Sequence, residues 1–193
     1  MSLKGRDFLK LLDFTGEESG TQTININRAQ PYIDLTADKT SQIWCRPGES
    51  VAVQMNIQGT WMHGYVYIDR GNDGQFSYNE GSQSQSGTDV MSFSFYSGDF
   101  NKSDSGVNSA GMTLTGSAVN TMELPVFVAP TTEGTYRIRF KMDWNSVDPA
   151  GQVGADGTAG GANGILANGG SIVDATLVVS SSAPYNNIAE LDN

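Results

Sequence analysis

The densest run of potential ligand oxygens is a window of twelve residues, Asp69 to Glu80, reading DRGNDGQFSYNE. Its spacing follows that of a calcium-binding loop. Asp69 takes the first ligand position and Asp73 the fifth, Gly74 stands at the sixth where the chain must turn sharply, Gln75 offers its carbonyl at the seventh, and Glu80 is the bidentate twelfth. Gly71 occupies the third position and carries no donor. A hard cation takes six to eight oxygens, so Asn72, water or a carboxylate from another loop has to complete the shell. The metal on this reading is calcium, and without flanking helices the loop is no EF-hand. Alternatively, Asp73-Gly74 makes a tight hairpin turn and the carboxylates face water.

Immediately upstream, Trp61, His63 and Tyr65 alternate, and in an extended chain they share one face. An exposed aromatic platform with a polar neighbour grips a sugar by ring stacking and a few hydrogen bonds. Packing in the core is the alternative, and Trp44 and Trp144 are expected to be buried. A second set of carboxylates, Asp143, Asp148, Asp156 and Asp174, is expected either to lend a distant ligand or to be solvated. Arg137, Arg139 and Lys141 alternate along one strand and are expected to pair with carboxylates across the sheet.

Catalytic groups are scarce. His63 is the only imidazole and Cys45 the only thiol, and nothing beside either supplies the oriented base and nucleophile of acyl transfer. The chain is therefore expected not to be an enzyme. The remaining catalytic option is a small glycosidase working with two carboxylates.

The elements that must hold these residues are strands. Val51 to Ile57, Thr135 to Trp144 and Ile172 to Val179 alternate apolar with polar or second-face residues at a period of two. Gly64 to Asp69, Val90 to Tyr96 and Met122 to Val128 are further β-branched and aromatic runs. Arg46-Pro47-Gly48-Glu49 reads as a turn. Lys4 to Leu12 is ambiguous between a brief helix and a strand. Two long polar loops, Ser97 to Ser109 and the glycine-rich Asn145 to Gly170, interrupt the strands. The fold expected is all-β, an antiparallel β-sandwich of immunoglobulin-like or jelly-roll-like kind with long glycine-rich loops. Residues 1–20 are expected to be a leader opened by vector-derived Met1, Ser2 and Leu3, residues 21–182 the sandwich, and residues 183–193 a linker.

Composition supports strands over helices: 23 glycines and only 17% charged residues in a chain of 193. A formal charge of -10, with 11 basic residues scattered along the chain, argues against a nucleic-acid partner. No apolar run reaches the roughly 18 residues of a bilayer span. The N-terminus lacks the apolar stretch of a secretory signal, and one cysteine excludes an intramolecular disulfide.

Taken in order, Pro47-Gly48-Glu49, Tyr65 to Phe76 (YVYIDRGNDGQF), Tyr136 to Trp144 (YRIRFKMDW) and Gly170 to Asp174 (GSIVD) resemble the GEVED-type β-sandwich domains of secreted bacterial proteins. The resemblance covers roughly residues 30 to 180. Ser171 and Val173 replace the two glutamates of the signature, and Gly71 replaces the usual Asn of the acidic loop, so the chain reads as a divergent relative. It implies a non-catalytic accessory module, secreted or on the bacterial cell surface, belonging to a glycoside-hydrolase-type protein. The role implied is carbohydrate binding or spacing, with a glycan and neighbouring domains of the same polypeptide as partners. A calcium-stiffened structural or adhesion domain with no specific glycan ligand is the alternative.

Overall fold

A computed structural model describes residues 7–26, 28–59, 62–96, 106–115, 118–143, 147–150, 165 and 169–183. Its regular structure is almost entirely strand: β1 (Phe8–Gly16), β2 (Gly20–Asn25), β3 (Tyr32–Asp34), β4 (Ile43–Cys45), β5 (Ser50–Gln58), β6 (His63–Ile68), β7 (Val90–Phe95), β8 (Gly106–Asn108), β9 (Thr113–Leu114), β10 (Thr121–Val128), β11 (Gly134–Asp143) and β12 (Ser171–Val179). The smaller sheet has the order β10-β5-β1-β2 and the larger β3-β12-β11-β6-β7-β8-β9, with β4 also on β12. The two sheets form a β-sandwich, as expected. All pairings are antiparallel except that β3 and β4 run parallel to β12.

The period of two explains the core. In β5, Val51, Val53, Met55 and Ile57 are buried while Ala52, Gln54 and Asn56 are half-buried. They meet Ile138, Phe140 and Met142 of β11 and Val173, Ala175 and Leu177 of β12 in one continuous cluster. Each such side chain withdrawn from water stabilises the fold by about 1.5–3 kcal/mol before entropy is counted.

The sequence expectation fails at the N-terminus, where β1 lies inside the smaller sheet between β5 and β2 rather than in a leader. A bulge between Leu9 and Leu11 lets Leu9 and Leu12, three residues apart, both reach the core. An inserted residue breaks the alternation that would have identified a strand.

Side chains close the two rims of the smaller sheet against the larger one. At β2 the Gln22 amide acts as a surrogate peptide. Its Nε2 donates to the Trp44 carbonyl at 2.6 Å and its Oε1 accepts the Trp44 amide at 2.7 Å. At β10 the Ser92 and Ser94 hydroxyls of β7 donate to the carbonyls of Pro125 at 2.6 Å and Glu123 at 2.9 Å. Replacing Gln22 by Ala leaves both Trp44 groups without this partner. A loss of about 1–3 kcal/mol is expected in urea unfolding, and an unchanged midpoint would show that the rim is held by packing alone.

Glu49 ties the turn before β5 to the turn between β1 and β2. Its buried carboxylate accepts the amides of Arg46 at 2.6 Å, Glu18 at 2.8 Å and Ser19 at 3.1 Å. Burial pushes its pKa up, but the Ser19 hydroxyl and these amides outweigh burial and hold it below the usual 4.5. Trp44, expected in the core, is only half-buried, because its indole Nε1 reaches the Ser180 carbonyl at 3.2 Å.

Candidate functional site

Strand alternation sends Arg137, Arg139, Lys141 and Asp143 of β11 to the outer face of the larger sheet. There they stand beside Asp174 and Thr176 of β12 and His63, Tyr65 and Tyr67 of β6. Most of this side is buried. Arg139, Lys141, Asp143, Asp174, His63, Tyr65 and Tyr67 are all at or below 9% exposure.

Asp174 is the hub. Arg139 grips it with two bonds, Nε to Oδ1 at 2.7 Å and Nη2 to Oδ2 at 2.8 Å. Arg137 donates to Oδ2 through Nε at 3.1 Å and also through Nη2, and the Tyr32 hydroxyl adds a bond of 2.8 Å. Burial raises the carboxyl pKa, but the bonds and charge of Arg139 and then Arg137 outweigh it and hold Asp174 below its usual 3.8. The expected cross-sheet pairing of these arginines is thus present. Phe76 of the acidic loop lies against both guanidiniums, its ring centroid 5.3 Å from Arg137 and 4.9 Å from Arg139.

Lys141 pairs along its own strand instead, Nζ to Asp143 Oδ2 at 3.2 Å, both side chains fully buried. Its ammonium also lies 4.7 Å from the centre of the Tyr65 ring. Burial lowers its pKa despite the opposing charges of Asp143 and Asp148. The covering segment is pinned through three successive carbonyls. Val147 accepts the Tyr67 hydroxyl at 2.7 Å, Asp148 the Lys141 ammonium at 2.6 Å, and Pro149 the Arg139 guanidinium at 2.8 Å. Gly170 allows the chain to return close by, since a Cβ there would sit 2.2 Å from the Met142 carbonyl oxygen.

The acidic loop is organised by two buried carboxylates. Asp69 accepts the amides of Asp73 at 3.2 Å and Gly74 at 2.9 Å, and Gly74 makes the turn at φ +83°. Asp89 accepts the Ser77 amide at 2.7 Å, the Ser77 hydroxyl at 2.8 Å and the Arg70 amide at 3.2 Å. Of the residues expected to ligate calcium, Asp69 caps its own loop. Asp73 is exposed and accepts the Gln75 amide at 2.9 Å. Gln75 is exposed, and so is Glu80. Burial raises the hydroxyl pKa values of Tyr65 and Tyr78, and the charges of Asp143 on Tyr65 and Asp148 on Tyr78, followed by that of Glu80 on both, add to it. Among the described residues no three of His, Cys, Asp and Glu are grouped as a metal ion requires.

The aromatic trio is brought together only in part. His63 and Tyr65 share the outer face as expected, but both are fully buried, so neither ring offers a face to a sugar. His63 stacks on Phe95 at 4.0 Å and its Nδ1 accepts the Tyr96 amide at 3.0 Å. Packing is therefore their role here. Trp61, Trp144 and Asp156 lie outside the described residues. Cys45 is buried, its thiol pushed up to about 12 by burial and by the Glu49 charge, so it is not a thiolate nucleophile at neutral pH.

Two shallow hollows open beside this buried layer. One, of about 440 Å³, lies against the acidic loop between Arg70, Asp73, Gln75, Phe76, Ser77 and Asp89. The other, of about 420 Å³, lies where β3, β11 and β12 meet, between Asp34, Thr36, Thr135, Tyr136, Arg137 and Thr176. Sequence reasoning missed Asp89, Asp34, Tyr32 and the pinned 147–149 carbonyls. Asp-Pro at 148 and 149 was the one available signal, as a turn former inside the insertion. No family model matches the chain, and no curated protein matches it. No helix of the described residues is long and apolar enough to cross a membrane.

Proposed function

We propose that the chain is a non-catalytic accessory module of a secreted or cell-surface glycan-processing protein, and that it binds carbohydrate on the outer face of its larger sheet. The observation that carries this is the use to which the outer-face ionisable groups are put. Asp174 is gripped by two arginines, and Lys141 and Arg139 pin carbonyls of the covering segment. These groups act as fasteners, and the hollows beside them offer hydroxyl, amide and charged groups to a polar ligand. The resemblance of Tyr65 to Phe76, Tyr136 to Trp144 and Gly170 to Asp174 to GEVED-type domains supports the accessory context.

Binding of the whole chain to an array of bacterial and plant oligosaccharides, followed by calorimetry, tests the proposal. At least one uncharged glycan is expected to bind in the millimolar to micromolar range, with no release of reducing ends on prolonged incubation. Glycan cleavage would replace accessory binding by catalysis, and a chain that binds no glycan would be a spacer.

A further inference from the structure

We infer that the hollow between Asp34, Thr36, Thr135, Arg137 and Thr176 is the carbohydrate site, and that it takes an uncharged sugar through a fixed donor and a fixed acceptor. The inference rests on the carbohydrate reading above and narrows it to one place. Register brings the groups together, since Asp34 stands opposite Asp174 on the parallel pair and Thr176 opposite Arg137 on the antiparallel one.

Arg137 is the donor. Its Nε and Nη2 are committed to Asp174, Nη2 also reaches the Tyr32 hydroxyl at 3.5 Å, and one face packs on Phe76, whereas among the described residues Nη1 enters no hydrogen bond. The side chain is 33% exposed, so a pre-positioned N–H remains accessible to water on this rim. A donor already fixed by its neighbours loses little rotamer freedom when a ligand arrives. Asp34 is the acceptor. Its Oδ1 takes the Thr36 amide at 2.9 Å and the Thr36 hydroxyl at 2.6 Å, which orients the carboxylate and leaves Oδ2 for a ligand hydroxyl. Thr135 contributes an exposed hydroxyl, and Thr176, whose hydroxyl donates to the Thr36 carbonyl at 2.8 Å, keeps its lone pairs.

Charge selects the ligand class. The hollow is lined by one cation, Arg137, and one anion, Asp34, while the buried Asp174 is already paired with Arg137 and Arg139, so neither sign of charge is in excess in the lining. An ionic ligand would be desolvated without a counter-charge, whereas neighbouring ring hydroxyls both donate and accept. The acidic-loop hollow differs at Asp89, both of whose oxygens already accept the loop's own groups, the Arg70 amide at Oδ1 and the Ser77 amide and hydroxyl at Oδ2.

Amide-resolved NMR titration of the whole chain tests this with methyl β-glucopyranoside, methyl β-galactopyranoside and methyl α-mannopyranoside, and with methyl β-glucuronide as charged control. A neutral glycoside is expected to shift the amides of Asp34, Thr36, Thr135, Arg137 and Thr176 and to bind more tightly than the glucuronide. Thr135→Tyr, which fills the hollow from an exposed strand position, is expected to weaken binding by about tenfold or more with Tm unchanged. Asp34→Asn, which keeps the side-chain shape, is expected to weaken it in the same direction. Binding with shifts confined to residues 70–77, or undiminished in Thr135→Tyr, would overturn this site while leaving the carbohydrate reading intact. If no glycoside and no array glycan binds, both fall together.

Discussion

Replacing Asp174 by Asn is expected to destabilise the fold by about 3–5 kcal/mol and to lower Tm by roughly 10 °C or more. Asp174 is fully buried, and Arg139 beside it is only 9% exposed. Removing the carboxylate strands a guanidinium pair whose desolvation was offset by that one anion. The loss reflects the unpaired charge left behind more than the strength of the original pair. Tyr32→Phe removes one bond to Asp174 Oδ2 and a long one from Arg137 Nη2, leaves the carboxylate and both guanidiniums paired, and is expected to cost only about 1 kcal/mol.

The same residue sets an acid limit. Because the folded-state pKa of Asp174 lies below its usual 3.8, its contribution is fully present above that value and is lost as pH falls through the depressed one. Glu49 acts in the same direction below 4.5. Tm is therefore expected to hold from neutrality to mild acid and to fall steeply below the ordinary carboxylate range, with a shallower fall in Asp174→Asn. A loss under about 1 kcal/mol for that variant would mean that water screens the fork as it screens a surface pair.

Asp143→Leu is expected to cost a comparable amount, about 3–5 kcal/mol, whereas the double variant Lys141→Met with Asp143→Leu should recover most of it. Both side chains are fully buried, 3.2 Å apart. Deleting the anion alone leaves an ammonium against the Tyr65 ring and the Asp148 carbonyl, while deleting both substitutes apolar packing for a costly desolvation. In the single variant the Lys141 pKa, already lowered by burial, falls further. The unfolded chain then binds more protons than the folded one, so stability should rise with pH across the gap. A double-mutant cycle in urea at two pH values reads both effects. Additive losses would show that the two groups stabilise the sandwich independently.

The class of fold was legible because β5, β11 and β12 alternate without interruption, and one apolar face per strand demands a facing sheet. β1 was not, since its bulge places core residues three apart and imitates a helical spacing. The acidic turn was legible as a turn, and Gly74 occupies the position foreseen for it. What local pattern could not convey is cover. Pairing of Arg137 and Arg139 with a carboxylate across the sheet was legible, but not that residues 147–149 and the distant Phe76 are laid over them. For the same reason spacing left His63 and Tyr65 open between a platform and core packing, and both are fully buried. Thr176 meets Arg137 across an antiparallel pair, but Asp34 joins them only through the parallel pairing of β3 with β12, whose partners are some 140 residues apart, beyond what spacing alone reveals.

The two stitched rims of the smaller sheet govern how neighbouring molecules meet. An open strand edge is a template on which a second chain can extend the ladder. Here the Gln22 amide occupies the Trp44 backbone at one rim, and Ser92 and Ser94 occupy the Pro125 and Glu123 carbonyls at the other. Pro125 also places a residue without an amide hydrogen in β10. At these two places a second copy finds the backbone groups already taken, and cutting the Gln22 stitch should favour fibril growth from the freed Trp44 edge of β4.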